Sequence, residues 1–450
     1  MVGDIMKRYD VVVIGGGVSG TIAAIAAARN GAKTLLVEQY GFLGGSLTNM
    51  GVGPMMTFHA GAKQVINGIP QEVVDNLIKY GGSPGHVLDT TGFVSTVTPF
   101  NAEVMKYVLQ KMVIESSAEI LYHSFLINVE LDGANIKVVY IANKSGIEAI
   151  EADVFIDATG DADLAAKCGI DYILGRPEDN LTQPMTMNVR IGNVNIDEVK
   201  KYIEGNPREF TMVDIEKIKT SKRLMVNGFY SLLKEARINR EINFERDMVL
   251  FFETDIPGEV IVNMTRVQRL NGTNINDLTK GEIYGREQAF EVYNFMKKYI
   301  PGFQKAYLIS TGPQIGVRET RKIIGEYVLT AKDLITSKHF NDCIAIGGYP
   351  IDIHSPDGDK TIYMNLENGS IYEIPFRSLY SKKINNLLVS GRCISSTHEA
   401  NAAVRVSPIA MATGQAAGTA AYVAVKNGKK VCDIDIKELR SILLDQKAYI

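Results

Sequence analysis

The chain has 450 residues, 46 % apolar and 22 % charged, with a formal net charge of −3. That length allows a sizeable core in one large unit or two to three domains. The near-balance of charge and the lack of like-charge blocks exclude a nucleic-acid tail or a polybasic membrane patch, and no apolar run approaches the ~18 residues of a membrane span.

The N-terminal "MKR" leads straight into a strand pattern with no signal-peptide cleavage site, so a cytoplasmic protein is expected. In "YDVVVI" (residues 9–14) the run from Val11 to Ile14 is apolar and β-branched, as a strand buried on both faces of a parallel sheet should be. Gly15, Gly17 and Gly20 follow at GxGxxG spacing, with Val18 and Ser19 inside the turn. An Ala-rich helix then runs to a stop signal at Asn30 and Gly31, and "KTLLVE" reads as a second strand ending in Glu38. Glu38 stands close to the ~20-residue interval at which an acid binds ribose hydroxyls in dinucleotide folds.

Each residue type there has a physical role. The first glycine permits a tight turn, the second lets backbone approach a pyrophosphate, and the third lets helix pack on strand, while a helix N-terminus attracts the phosphates. The competing reading is a glycine-rich turn without a ligand. A serine-hydrolase elbow around Ser19 fails on spacing, because Thr21 stands where a glycine is needed. An acid at position 38 argues against a 2′-phosphate, which leaves NAD or FAD. The glycine-dense "QYGFLGGSLTNMG" after Glu38 would lie along a longer ligand, beyond the pyrophosphate.

Further along, residues 59–99 combine the helix "PQEVVDNLIKYGG" with a Gly- and Thr-rich loop, and 101–116 have helical spacing. Short alternating strands follow up to "ADVFIDATGDADLAAKCG" (152–169). Residues 190–305 mix strands such as "VIVNMTRVQ" with polar helices. "NNLLVSGRCISS" (385–396) again pairs a strand with glycine. Cys168, Cys343, Cys393 and Cys432 form no CxxC and are expected to be buried thiols. The histidines show no metal-binding spacing, and "DIHSPDGD" (352–359) reads as a surface turn, so no metal is expected.

Together, "GGGVSGTIAA", "VEQYGFLGG", "FIDATGDADLAA", "GPQIGVRETRKIIGEYVLT" and "LLVSGRCISSTHEANAAVRVSPIAMATGQAAG" resemble the FAD-dependent oxidoreductases related to the flavin subunit of heterodisulfide reductase, within the glutathione-reductase-like flavoproteins. The likeness runs nearly end to end and is weakest over 190–300. It implies an α/β fold: a discontinuous Rossmann-like FAD-binding domain (1–58, 100–190 and 310–450), a helical and loop insertion (59–99) and an inserted mixed α+β cap or substrate domain (191–309). It implies FAD, held by Gly15, Gly17, Val18, Ser19, Gly20, Glu38 and Gln39 at the ADP half. Gly44, Gly45 and Ser46 would lie near ribityl and flavin, Ala158, Thr159 and Gly160 on the adenosine side, and Gly391, Arg392, Ser407 and Pro408 over pyrophosphate and flavin edge. Pro408 also suits a helix start, where its missing N–H costs little. The cluster motifs of the heterodisulfide-reductase subunit are absent from this sequence, so FAD carries over and iron–sulfur does not.

Chemistry around a flavin needs an acid or base and cations for anionic groups. Three clusters offer them. Arg392, His398, Glu399 and Arg405 lie within one short stretch, with His398 as acid or base and Arg405 as anion clamp; a structural loop competes. Tyr349, Asp352, His354, Tyr372 and Arg377 precede the last strand, with His354 and Arg377 as substrate contacts. Arg318, Glu319 and Arg321 form either an ion-pair network or a carboxylate site.

The expected function is hydride or electron transfer between FAD and a small polar substrate, a hydroxylated compound or an organic acid. The alternative is an electron-transfer subunit docking an iron–sulfur partner, and a non-redox isomerase or lyase is a third. No second GxGxxG supports an NAD(P)H domain. The electron donor or acceptor stays open, as does self-association into a homo-oligomer.

Overall fold

The computed structural model describes residues 7–358, 361–364 and 369–450; Asp359, the last residue of the 352–359 stretch, lies outside them. In chain order the principal elements are β1 (Lys7–Ile14), α1 (Val18–Arg29), β2 (Thr34–Val37), α2 (Ile69–Lys79), α3 (Ala102–Glu115), β3 (Glu119–Leu121), β4 (Phe125–Asp132), β5 (Asn135–Asn143) and β6 (Gly146–Asp157). Then come β7 (Val189–Gly192), β8 (Met225–Gly228), β9 (Val249–Glu253), β10 (Val260–Val262), α4 (Ile275–Tyr299) and β11 (Tyr307–Thr311). The chain closes with β12 (Ile351–His354), β13 (Thr361–Met364), β14 (Leu387–Val389), α5 (His398–Val404) and α6 (Ser407–Asn427), followed by a last helix, Ile436–Asp445.

The first sheet has the order β3-β2-β1-β6-β5-β4, with β14 also paired to β6. β3, β2, β1, β6 and β14 run parallel, as expected of strands joined through helical crossovers. β6 is long enough to have two partners on one edge. Its first half (146–150) pairs antiparallel with β5, and its last residues, Phe155–Asp157, take β14. The antiparallel ribbon therefore peels off where β14 enters, and the C-terminal ends of β1, β6 and β14 come out side by side. In open parallel sheets that edge is where ligands bind.

α1 and α6 cover this sheet backbone to backbone. A Cβ on Gly414 would stand 2.2 Å from the Ser19 carbonyl oxygen, and one on Gly418 2.1 Å from that of Ala23. The alanines between them, Ala23, Ala24, Ala416 and Ala417, are fully buried. An Ala-rich helix thus serves close approach rather than bulk filling.

The second sheet, in the order β8-β9-β10-β7-β11, is antiparallel throughout. With Ala289, Val292, Phe295 and Met296 of α4 it forms a separate core running from Met185 to Ile315. The stretch around Thr90 links the two layers, since the Thr90 hydroxyl donates to the Met225 carbonyl at 2.6 Å and accepts from the Met225 N–H at 2.8 Å. Among the described residues no helix is long and apolar enough to cross a membrane.

Candidate active site

The glycine turn after β1 divides its work as backbone sterics require. Gly15 has φ +102°, and a Cβ there would meet the Ala158 carbonyl oxygen at 2.5 Å. A Cβ on Gly20 would meet the Gly15 oxygen at 1.9 Å, so this glycine seats α1 on the strand. Gly17 is different. Its backbone faces Gly44 and Gly45, the nearest atom to a Cβ there being the Gly45 Cα at 3.9 Å.

Both Gly17 and Gly45 line a cavity of about 290 Å³, together with Val18, Ser19, Ser46, Ala158, Thr159, Gly160, Gly391, Arg392 and Ser407. The N-termini of α1 and α6 open on it, and neither has a side-chain cap, so their first N–H groups are left to a ligand. Two uncapped helix starts and a groove that any Cβ would narrow fit an elongated anionic dinucleotide.

Gly15, Gly20, Glu38, Gln39, Gly44 and Pro408 do not line the cavity. Gly44 holds the turn in place, its N–H donating to the Gly16 carbonyl at 2.9 Å. Glu38 is buried beneath the turn and accepts from the Gly16 and Tyr40 N–H groups at 2.5 and 2.9 Å. Burial raises its carboxyl above the ordinary range against those bonds. Gln39 is exposed. Pro408 occupies the first turn of α6. Arg392 is held by Asp161 at 2.6 Å and by the Thr320 hydroxyl at 3.1 Å, so its charge is already matched.

The cavity continues past the glycines into a second chamber lined by Asn227, Arg246, Asn263, Arg318, Tyr349, Asp352, His354, Tyr363 and Arg405. Strand periodicity positions much of it. On β9, Val249 and Phe251 enter the second core while Leu250 and Phe252 face the cavity. On β12, Ile351 and Ile353 enter the first core, and Asp352 and His354 face the cavity. This corrects the reading of 352–359 as a surface turn, since Asp352 and His354 are both only 7 % exposed. Arg405 stands in the break between α5 and α6.

The Asp352–His354 pair has a defined polarity. His354 Nδ1 lies 3.3 Å from Arg266 Nη2, and a guanidinium only donates, so Nδ1 accepts and the Nε2 proton faces Asp352 Oδ2 at 3.4 Å. Tyr349 donates to the same Oδ2 at 3.1 Å. Burial pushes the His354 imidazole down to about 3; Asp352 opposes this, while Arg318 and Arg405 add to it. Burial alone would raise Asp352, but His354, Arg405 and Arg318 hold it below the ordinary carboxylate range.

A pH dependence follows. Between pH 6.5 and about 3 the unfolded chain takes up a proton at His354 that the native state refuses. Acidification over this window should therefore destabilise the fold, by at most ~1.4 kcal/mol per pH unit from this group. His354→Gln removes the site, so its unfolding free energy should fall less steeply than the wild type's between pH 7 and 4.5. Identical slopes would mean that His354 titrates normally.

The structure does not bring His398 or Arg377 to the cavity. His398 Nδ1 is 2.8 Å from Glu319, which also binds Lys322 and accepts from the Gln183 N–H at 3.1 Å. Arg377 makes a two-pronged contact to Asp342 at 2.9 and 3.1 Å. Arg246, Asn227 and Asn263 escaped sequence reasoning. The only signal available was a charged "ERD" directly ahead of the apolar strand "MVLFFE".

A family model described as FAD dependent oxidoreductase matches residues 10–443. The chain belongs to that family. The flavoenzyme's cofactor is FAD. Curated relatives match only locally. Dihydrolipoyl dehydrogenase of Trypanosoma brucei brucei is 54 % identical over 50 residues, 11 % of this chain and 10 % of that one. The soluble pyridine nucleotide transhydrogenase of Hahella chejuensis (strain KCTC 2396) is 42 % identical over 59 residues, 13 % of each. These alignments span about a tenth of the relatives' length.

Among solved structures, the flavin-dependent brominase Bmp2 covers 98 % of this chain and 83 % of its own, with TM-score 0.50 and 13 % identity. The p-nitrophenol 4-monooxygenase PnpA of Pseudomonas putida DLL-E4 covers 99 % of both chains, with TM-score 0.50 and 10 % identity. Identities this low show the shared fold alone. Among the described residues no group of three or more His, Cys, Asp and Glu could hold a metal ion, and all four cysteines are free. Burial pushes the Cys168 and Cys343 thiols up to about 12, which leaves them unreactive.

Proposed function

We propose that this flavoenzyme transfers a hydride or electrons between FAD and a small polar substrate, a hydroxylated compound or an organic acid, bound in the chamber of Asp352, His354, Arg318 and Arg405. One observation carries the reading: a single cavity joins the glycine groove to that chamber. In this reading Gly17, Val18, Ser19, Gly45, Ser46, Thr159, Gly160, Gly391, Arg392 and Ser407 hold the cofactor. Residues 191–309 supply one wall of the substrate side, with Asn227, Arg246 and Asn263. The sequence likeness to the flavin subunit of heterodisulfide reductase then reflects a common FAD scaffold used without that subunit's clusters.

FAD supplies a two-electron acceptor or donor when bound. The chain's residues handle charge and protons. Arg318 and Arg405 orient an anionic or hydroxylated group, and the Asp352–His354 pair holds the proton that accompanies hydride transfer. In the free chamber both members are weak bases. An anion that neutralises Arg318 and Arg405 lifts both, so proton transfer is enabled where substrate is bound. His398 acts at one remove, as a positioning residue: through Glu319 it steadies Gln183, whose Oε1 accepts from the His354 backbone N–H and from Arg405 Nη2.

The test is anaerobic mixing of the yellow protein with hydroxy acids, polyols and NAD(P)H, followed by visible spectroscopy. Bleaching by one polar class, slowed ~10²–10⁴-fold in His354→Gln with full FAD content, is the expected result. Bleaching that is unchanged in this variant would remove the pair from the mechanism. A protein reduced by an iron–sulfur protein and by no small molecule would instead be an electron-transfer subunit.

A further inference from the structure

Among the described residues, the lining of the second chamber carries more positive than negative charge. Arg246, Arg318 and Arg405 all line it, and among the described residues none of the three has a carboxylate within salt-bridge distance. Their acceptors are neutral. Arg246 donates to the carbonyls of Met248 at 3.1 Å and Asn263 at 3.4 Å. Arg318 donates to the Pro184 carbonyl at 2.6 Å, the Thr186 hydroxyl and Asn263 Oδ1 at 3.4 Å. Arg405 donates to Gln183 Oε1 at 3.3 Å, and its Nε, although buried, has no partner among the described residues.

One carboxylate, Asp352, lines the chamber, and it faces a neutral histidine. Asp247 acts on Arg266 outside the lining, and Arg392 is matched by Asp161. Among the described lining residues, three guanidinium groups against one carboxylate leave an excess of two positive charges. Arginine does not deprotonate in proteins, so this excess is a standing cost of the free chamber. Burial, then Arg405 and Arg266, push Arg318 well below the ordinary arginine range, which is the same repulsion seen from one group.

Two further features narrow the ligand. The cations are anchored in two places, Arg246 and Arg318 on Asn263 and Arg405 on Gln183, which suits two separate anionic groups. Phe93, Met248, Leu250 and Phe252 add apolar surface to the lining, while the buried Asn227 Oδ1 and Asp352 Oδ1 have no partner among the described residues and are open to a hydroxyl or amide donor.

We infer that the substrate of this chamber is a small organic dianion of the dicarboxylate class, its two carboxylates taken by the Arg246–Arg318 and Arg405 anchors and its carbon frame by the apolar surface. This rests on the redox reading above and deepens it. The guanidinium forks bind carboxylates in a planar, two-pronged geometry, and the chamber becomes electrically neutral when the ligand enters.

The experiment is titration of the FAD-loaded protein with straight-chain dicarboxylates from malonate to suberate, with acetate, succinamide and glycerol phosphate as controls. It is read by calorimetry and by perturbation of the visible flavin band, neither of which requires turnover. One dicarboxylate should bind at least ~10-fold more tightly than every control. Arg318→Met and Arg405→Met should each weaken it by about 30-fold or more. The same variants should melt no lower than the wild type without ligand, because each removes an uncompensated cation; a purely structural arginine would lower the melting temperature.

Equal binding of succinamide or acetate would overturn the dianion. Tighter binding of glycerol phosphate would replace the dicarboxylate class by a phosphate ester. Failure of every anion to bind a fully flavinylated, yellow protein would sink this inference and leave the redox reading standing, whereas a protein that takes up no FAD would sink both.

Discussion

Gly45→Val should give a folded, colourless protein. Gly45 has φ +51°, and a Cβ there would stand 2.8 Å from the Gly17 Cα, across the groove that both residues line. A β-branched side chain is strained in that conformation and has no route away from Gly17, because the facing atom is backbone. FAD retention should fall by on the order of 100-fold, since Gly45 faces Gly17, the second glycine of the turn, where the protein backbone approaches a pyrophosphate. The hydrophobic core under the turn is untouched, so far-ultraviolet circular dichroism should stay native. The checking measurement is the flavin-to-protein absorbance ratio after denaturation. A variant that purifies with its full complement of flavin would mean that the groove is not the phosphate path. Gly45→Ala should lie between the two, with its single methyl group at the same close approach.

That prediction rests on the part of the molecule most legible in its sequence. "YDVVVI" could be read as a doubly buried strand because no polar residue interrupts it from Val11 to Ile14, and those residues are indeed almost fully buried. The helix expected over 101–116 occupies Ala102–Glu115, with the Asn101 side chain accepting from the Glu103 and Val104 N–H groups, a local capping signal that needs no tertiary information. The chamber was harder to read. Its arginines come from positions 246, 318 and 405, brought together only by packing the second sheet against the first.

Two local patterns pointed elsewhere. His398 lies among charged residues next to the α6 start, yet its partner Glu319 is 79 positions away. Arg377 likewise finds Asp342, 35 positions away. Composition near a motif identifies polar residues, but not which of them is already spent on a distant partner. The strand at Ile351–His354 was hidden for another reason: four alternating residues give a weak period-2 signal beside the strong turn chemistry of "SPDG".

Removal of Glu319 should have the largest effect on stability. Its side chain is fully buried, with Lys322 1 % and His398 5 % exposed beside it, and it also accepts the Gln183 N–H. Burial alone would raise the Glu319 carboxyl, but His398 and Lys322 outweigh it and hold the group below its ordinary value. The stability it lends is thus complete above the ordinary carboxylate range and lost as pH falls through the depressed one. Glu319→Ala leaves the Lys322 ammonium buried without its counter-ion and should cost ~3–5 kcal/mol in denaturant unfolding. The double variant Glu319→Leu/Lys322→Met, which removes both charges and keeps volume, should recover most of that loss, because the penalty belongs to the stranded cation and not to the missing bond. His398→Gln, able to donate to Glu319, should cost far less than Glu319→Ala. If the double variant were no more stable than Glu319→Ala, the carboxylate would be holding the structure through Gln183, and the dicarboxylate affinity of the chamber, steadied by Gln183 through Arg405, would fall with it.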